Sequence, residues 1–214
     1  MSTQRSALLI VDMFNRFDFD GGEQLAHRAQ GAARSIDALA QRYRQAQRPV
    51  LYANDNFADW HADLPALIAL ASQVDARGCE IARLLTPYPQ DYQLLKPKHS
   101  AFLNTPLSPL LKDLQVEHLV ITGVALDVCV LATAIDAAAH GFAVSVPRDC
   151  ATAETDVRET CARTILQDGF HAALARSASI EPAWCIDALH RIARTEQAAI
   201  APGSPHAPIV LTLG

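Results

Sequence analysis

Residues 118–140 constrain the fold more than any other stretch. His118 to Thr122 is a short apolar run rich in β-branched residues, as a parallel strand buried on both faces requires. Gly123 follows and permits a backbone turn that other residues resist. Val128 to His140 is Ala-rich and helix-forming, and Gly141 is a stop signal. Asp127 stands where an N-cap or first-turn acid is expected. A strand–turn–helix unit of this kind belongs to an open α/β sheet, and Cys129 lies in its first helical turn. A thiol at a helix N-terminus is favoured as thiolate by the macrodipole, and free amides there can hold an oxyanion. On this stretch alone, Cys129 reads more readily as a small core hydrophobe.

The same alternation runs along the chain. Strands are expected at Ala7–Val11, Val50–Ala53, Tyr92–Leu95, His118–Thr122 and Ala143–Val146, with a sixth at Ala178–Ile180. Between them, helices are expected at Glu23–Gln47, Leu64–Val74, Cys79–Leu85, Leu107–Leu114, Val128–His140 and Thr155–Asp168, and one more at Pro182–Arg194. The first helix carries Leu25, Ala29, Ala32, Ala33, Ile36, Leu39, Ala40 and Tyr43 on one face. This pattern predicts a three-layer α-β-α sandwich around a parallel, Rossmann-like sheet of about six strands. Residues 1–200 read as one domain, and 201–214 as a Pro-rich tail.

Composition excludes several classes. The formal net charge of −5 and the lack of a basic run argue against nucleic acid. No apolar run reaches membrane-spanning length, and the initial apolar run is too short for a signal segment. Five cysteines, at 79, 129, 150, 161 and 185, without a CxxC pair or a close Cys/His cluster, argue for a reducing cytoplasm rather than a disulfide framework or zinc site.

Three of the expected parallel strands end in an ionisable group: Asp12, Lys96 and, one turn later, Cys129. Carboxyl ends of parallel strands share one edge, so these distant residues can converge. An ammonium lowers a thiol's pKa, and a carboxylate accepts and returns its proton. Asp12 taken alone also reads as a cap or loop acid. Phe14, Phe17, Asn54, Asp55, Phe57, Trp60 and Leu126 flank the strand ends and are candidates for a substrate pocket. Asp55 is also readable as a turn residue.

With these residues the chain resembles the isochorismatase-like cysteine hydrolases, a family that includes nicotinamidases, carbamoylsarcosine and ureidoacrylate amidohydrolases and isochorismatase. The resemblance covers residues 7–180. It rests on Asp12 after Leu9-Ile10-Val11, on the segment from Lys96 to Phe102, and on the segment from Gly123 to Val130. It implies Cys129 as nucleophile, Asp12 as general base and acid, and Lys96 as the cation that lowers the thiol pKa. It also implies the Ala125 and Cys129 amides as oxyanion hole, and a non-proline cis peptide between Val124 and Ala125. Nicotinamidases bind a metal through an Asp-x-His pair after the second strand. Here that place reads Asp55-Asn56-Phe57, so no metal and no cofactor are expected. The resulting expectation is a metal-independent hydrolase cleaving a C–N bond of a small amide or ureido compound through a thioester, assembled as a homo-oligomer. Vinyl-ether hydrolysis of the isochorismatase type and a non-catalytic redox-sensing thiol are the alternatives.

Overall fold

The computed structural model describes residues 5–182. Five parallel strands form one sheet: β1 (Ser6–Val11), β2 (Val50–Asp55), β3 (Tyr92–Lys96), β4 (His118–Gly123) and β5 (Ala143–Ser145), in the order β3-β2-β1-β4-β5. The helices are α1 (Gly22–Gln45), α2 (Leu64–Ala71), α3 (Cys79–Leu84), α4 (Leu107–Asp113), α5 (Leu131–Ala139) and α6 (Asp156–Thr164).

Strand periodicity divides the core. Successive residues of a strand point to opposite faces. In β1, Leu8 and Ile10 join a cluster that includes Leu25, Ile36 and Tyr43 of α1 and Ile81 of α3. Ala7, Leu9 and Val11 join the opposite cluster, with Leu107 and Leu111 of α4, Ala134 of α5 and Ala162 of α6. All six residues of β1 are buried, as a central strand covered on both faces must be. The expected apolar stripe of α1 is buried at each of its eight positions.

The expected sixth strand does not form. Ser177–Ser179 is a single 3₁₀ turn, and pairing beyond β5 is reduced to one parallel bridge between Ser145 and Ala173. Main-chain bonds from Val146 to Ala173 (2.9 Å) and from Ala173 to Val144 (3.0 Å) hold the segment without extending it. Asp149 accepts from the Ser177 amide at 2.8 Å and from its hydroxyl at 2.7 Å, which turns the chain away from the edge. The helix expected at 182–194 and the tail at 201–214 lie outside the described residues, as does Cys185.

Strand order positions the site. The chain steps from β1 to β2 and β3 on one side, then crosses to β4 and β5 on the other. The crevice between the carboxyl ends of β1 and β4 is the topological switch point, where open α/β sheets bind ligands. Gly123 closes β4 there at φ 112°, and a Cβ on it would lie 2.0 Å from the Val11 carbonyl oxygen. No other residue fits this approach.

Candidate active site

Asp12 is the first residue past β1 and takes a left-handed backbone conformation, φ 53°. Asp is among the residues enriched there, although the conformation still costs about 1–2 kcal/mol. It turns the carboxylate across the sheet edge. Oδ1 accepts from the Asp55 amide at 2.6 Å, and Oδ2 lies 2.8 Å from Lys96 Nζ. Register explains why: Asp55 and Lys96 are paired positions at the ends of β2 and β3. Lys96 is fully buried, 3.4 Å from Asp55 Oδ2, and it donates to the Lys98 carbonyl at 3.2 Å. Its fourth neighbour is the Cys129 sulfur at 3.6 Å. Lys96 thus touches both the Asp12 carboxylate and the thiol, and those two groups act on each other electrostatically. The three strand-end groups therefore meet.

Cys129 arrives by a different local route from the one expected. Leu126–Val130 is a π-helical turn that precedes α5, so the cysteine is not in the first turn of an α-helix. The Val124–Ala125 peptide bond is cis, as the resemblance implied. The Ala125 carbonyl accepts the Val128 and Val130 amides at 3.1 and 3.2 Å, and the Leu126 amide donates to the Thr152 carbonyl at 2.8 Å. Asp127 is not a side-chain cap; it pairs with Arg158 at 3.2 Å.

The electrostatics correct one expectation. Burial pushes the Cys129 thiol well above its ordinary range, and the Asp12 charge adds to this; the pull of Lys96 is outweighed. Asp12 is raised chiefly by burial, against the pull of Lys96. Burial alone would lower the Lys96 ammonium, but Asp12, Cys129 and Asp55 reverse that and hold it up. One buried ammonium serves the thiol as well as Asp12 and Asp55, so burial and the two carboxylates favour the protonated thiol.

The pocket candidates separate. Phe14 and Phe57 help wall a cavity of about 440 Å³, with Phe19, Leu67, Leu70 and Ala71 completing its apolar side. The cavity adjoins Asp55, whose Oδ1 accepts from the Phe57 amide at 2.7 Å; Asp12, Lys96 and Cys129 do not line it. Phe17 and Leu126 are packed into the two cores instead of facing a pocket. Asn54 is 1 % exposed, and its amide is consumed by the main chain of Phe14 and Asp55. Trp60 is 78 % exposed, on the same loop as Phe57. Asp55, an expected pocket or turn residue, has direct contact with Lys96.

A metal does not fit here. Asp55 spends one oxygen on its own loop and faces the other to an ammonium, and Phe57 offers no donor atom. Among the described residues, no group of three or more His, Cys, Asp or Glu side chains could hold a metal ion. The residue not foreseen is His99, whose Nδ1 lies 3.9 Å from the Cys129 sulfur. Its one sequence signal is its place three residues after Lys96.

A parallel α/β sheet with a thiol, a carboxylate and an ammonium in contact at its switch point defines a cysteine hydrolase. The chain belongs to the isochorismatase family: the family model described as "Isochorismatase domain" matches residues 6–179. It is 38% identical over 180 residues to an uncharacterized isochorismatase family protein, YaaI, of Bacillus subtilis (strain 168), covering 84% of this chain and 98% of that protein. It is 29% identical over 158 residues to the ureidoacrylate amidohydrolase RutB of Enterobacter sp. (strain 638), covering 62% of this chain and 69% of that one. The crystal structure of N-carbamoylsarcosine amidase from Thermoplasma acidophilum shares the fold, with a TM-score of 0.64 and 24% identity over 83% of this chain and 99% of that one. Among the described residues, no helix is long and apolar enough to cross a membrane.

Proposed function

We propose that the chain hydrolyses a C–N bond of a small amide or ureido compound through a thioester on Cys129, without a metal or cofactor. The observation that carries this is the buried Lys96 in contact with both Cys129 and Asp12 at the switch point. The relative named for ureidoacrylate supports the ureido class.

The protonated thiol sets the order of events. Cys129 attacks the carbonyl carbon as its proton passes to Asp12. The transfer moves a negative charge from carboxylate to sulfur, and into the substrate, without adding net charge to the buried site. Lys96 stays beside both groups throughout. The Ala125 and Cys129 amides hold the oxyanion of the tetrahedral intermediate. The amine takes up a proton at the site as the C–N bond breaks and leaves the thioester; the water that cleaves the thioester gives a proton back to the site, and Asp12 returns the thiol's own proton to sulfur. Phe14 and Phe57, which help wall the cavity of about 440 Å³, seat the apolar body of the substrate, and Asp55 and Trp60 are further contacts for it. The enzyme works in the cytoplasm, where its cysteines stay reduced, and as a homo-oligomer.

Turnover of a panel of small amides, ureido acids and hydroxamates tests the reading. Cys129→Ala and Asp12→Asn are each expected to abolish it, whereas Phe57→Ala raises KM with kcat nearly kept. Full turnover by Cys129→Ala would sink the proposal.

A further inference from the structure

Asp12 is poorly placed to do all the proton transfers of such a reaction. It is 6 % exposed, and its two oxygens are engaged by the Asp55 amide and Lys96. The leaving nitrogen and the attacking water reach the sulfur from the open side. His99 occupies that side: it is exposed, with Nδ1 3.9 Å from Cys129 Sγ. Its backbone is tied on both sides to the catalytic centre. The preceding Lys98 carbonyl accepts from Lys96 Nζ at 3.2 Å. Two residues later, the Ala101 amide donates to the Thr133 hydroxyl at 3.0 Å, and that hydroxyl donates to the Cys129 carbonyl at 2.7 Å. A loop fastened in this way holds a side chain in reach of a reacting atom.

We propose that His99 is a second acid–base residue, serving the leaving group and the water while Asp12 serves the thiol. The assignment rests on the thioester reading above. As the C–S bond forms, the thiol proton goes to Asp12. As the C–N bond breaks, imidazolium His99 gives its proton to the departing nitrogen. Neutral His99 then takes a proton from the water that attacks the thioester. The C–S bond breaks, Asp12 returns its proton to sulfur, and both groups end as they began. By microscopic reversibility, the group that protonates the amine is also the one that activates the water.

p-Nitrophenyl acetate separates the two halves, because its leaving group needs no proton. Intact-mass measurements follow formation and loss of acetyl-Cys129 in wild type, His99→Ala and His99→Gln. Acetylation is expected to stay within about threefold of wild type in both variants, and deacetylation to slow on the order of 100-fold. Gln keeps a hydrogen-bonding side chain but cannot carry a proton, so it should fail as Ala does. Deacetylation at the wild-type rate in either variant overturns the assignment. Unchanged iodoacetamide alkylation of Cys129 checks that the variants keep the site. A wild type that never acquires acetyl on Cys129 would instead overturn the thioester reading, and this one with it.

Discussion

Replacing Lys96 with Met removes the only positive charge in contact with Asp12 among the described residues, without opening a large void. The nitrogen lies 2.8 Å from Asp12 and 3.4 Å from Asp55. At an effective dielectric near 20, those separations correspond to gross attractions of roughly 6 and 5 kcal/mol. Most of that is offset by the several kcal/mol needed to bury the ammonium, a cost the variant avoids. What remains is a buried carboxylate without its partner, a net loss of about 3–5 kcal/mol. For a chain of this size, that lowers the thermal midpoint by roughly 6–20 °C. The variant's Asp12 is raised further above its ordinary 3.8, so its carboxylate form weighs against folding as pH rises past that value. The deficit should therefore be large at pH 8 and shrink toward pH 5. Urea unfolding at the two pH values reads it directly. Iodoacetamide alkylation of Cys129 should slow as well, since the thiol loses the one charge that favours its ionised form. A Lys96→Met protein as stable as wild type at pH 8, or one alkylated faster, would refute this account of the charges.

Three further outcomes follow from other parts of the fold. Gly123→Ala places a methyl 2.0 Å from the Val11 carbonyl oxygen and should cost more than about 4 kcal/mol in urea unfolding, or prevent soluble expression; a stable, active variant would contradict the described close of β4. Thr133→Val should cost about 1–3 kcal/mol by stranding the Ala101 amide, with Thr133→Ser restoring most of it, as read by thermal unfolding. Glu159 is lowered from 4.5 because Thr152, Arg28 and Arg163 outweigh its burial, so it stabilises the fold above that pH and the gain is lost as pH falls through its folded-state value. Glu159→Gln should therefore be less stable than wild type at neutral pH and converge with it in acid, and parallel stability curves would count against this.

Much of this was legible because the fold repeats one simple pattern. Apolar runs ending at Val11, Ala53, Leu95 and Thr122 announced parallel strands, and Asp12, Lys96 and Cys129 stood at or just beyond strand ends that a parallel sheet must bring to one edge. Side-chain direction was harder to read. Phe17 and Leu126 flank the site in sequence yet face the core, because the positive φ of Phe17 and the turn before α5 set their direction, and neither leaves a compositional mark. The balance of charge around the thiol is hard to read from sequence for a related reason. Dipole and lysine arguments favour the thiolate, but burial and the Asp12 charge, with a smaller push from Asp55, act against them, and neither can be weighed until the strands are in register. The short segment at 178–180 resembles a strand locally, but its pairing is decided by Asp149 holding Ser177, a contact 28 residues apart.

The most direct test of the central claim is peptide mapping by mass spectrometry after mixing the wild-type protein with small amides, ureido acids and hydroxamates and quenching in acid. The account predicts an acyl mass gain on the peptide carrying Cys129, lost in Cys129→Ala, with the added mass identifying the acyl group. Turnover without any adduct on Cys129, undiminished in Cys129→Ala, would contradict it.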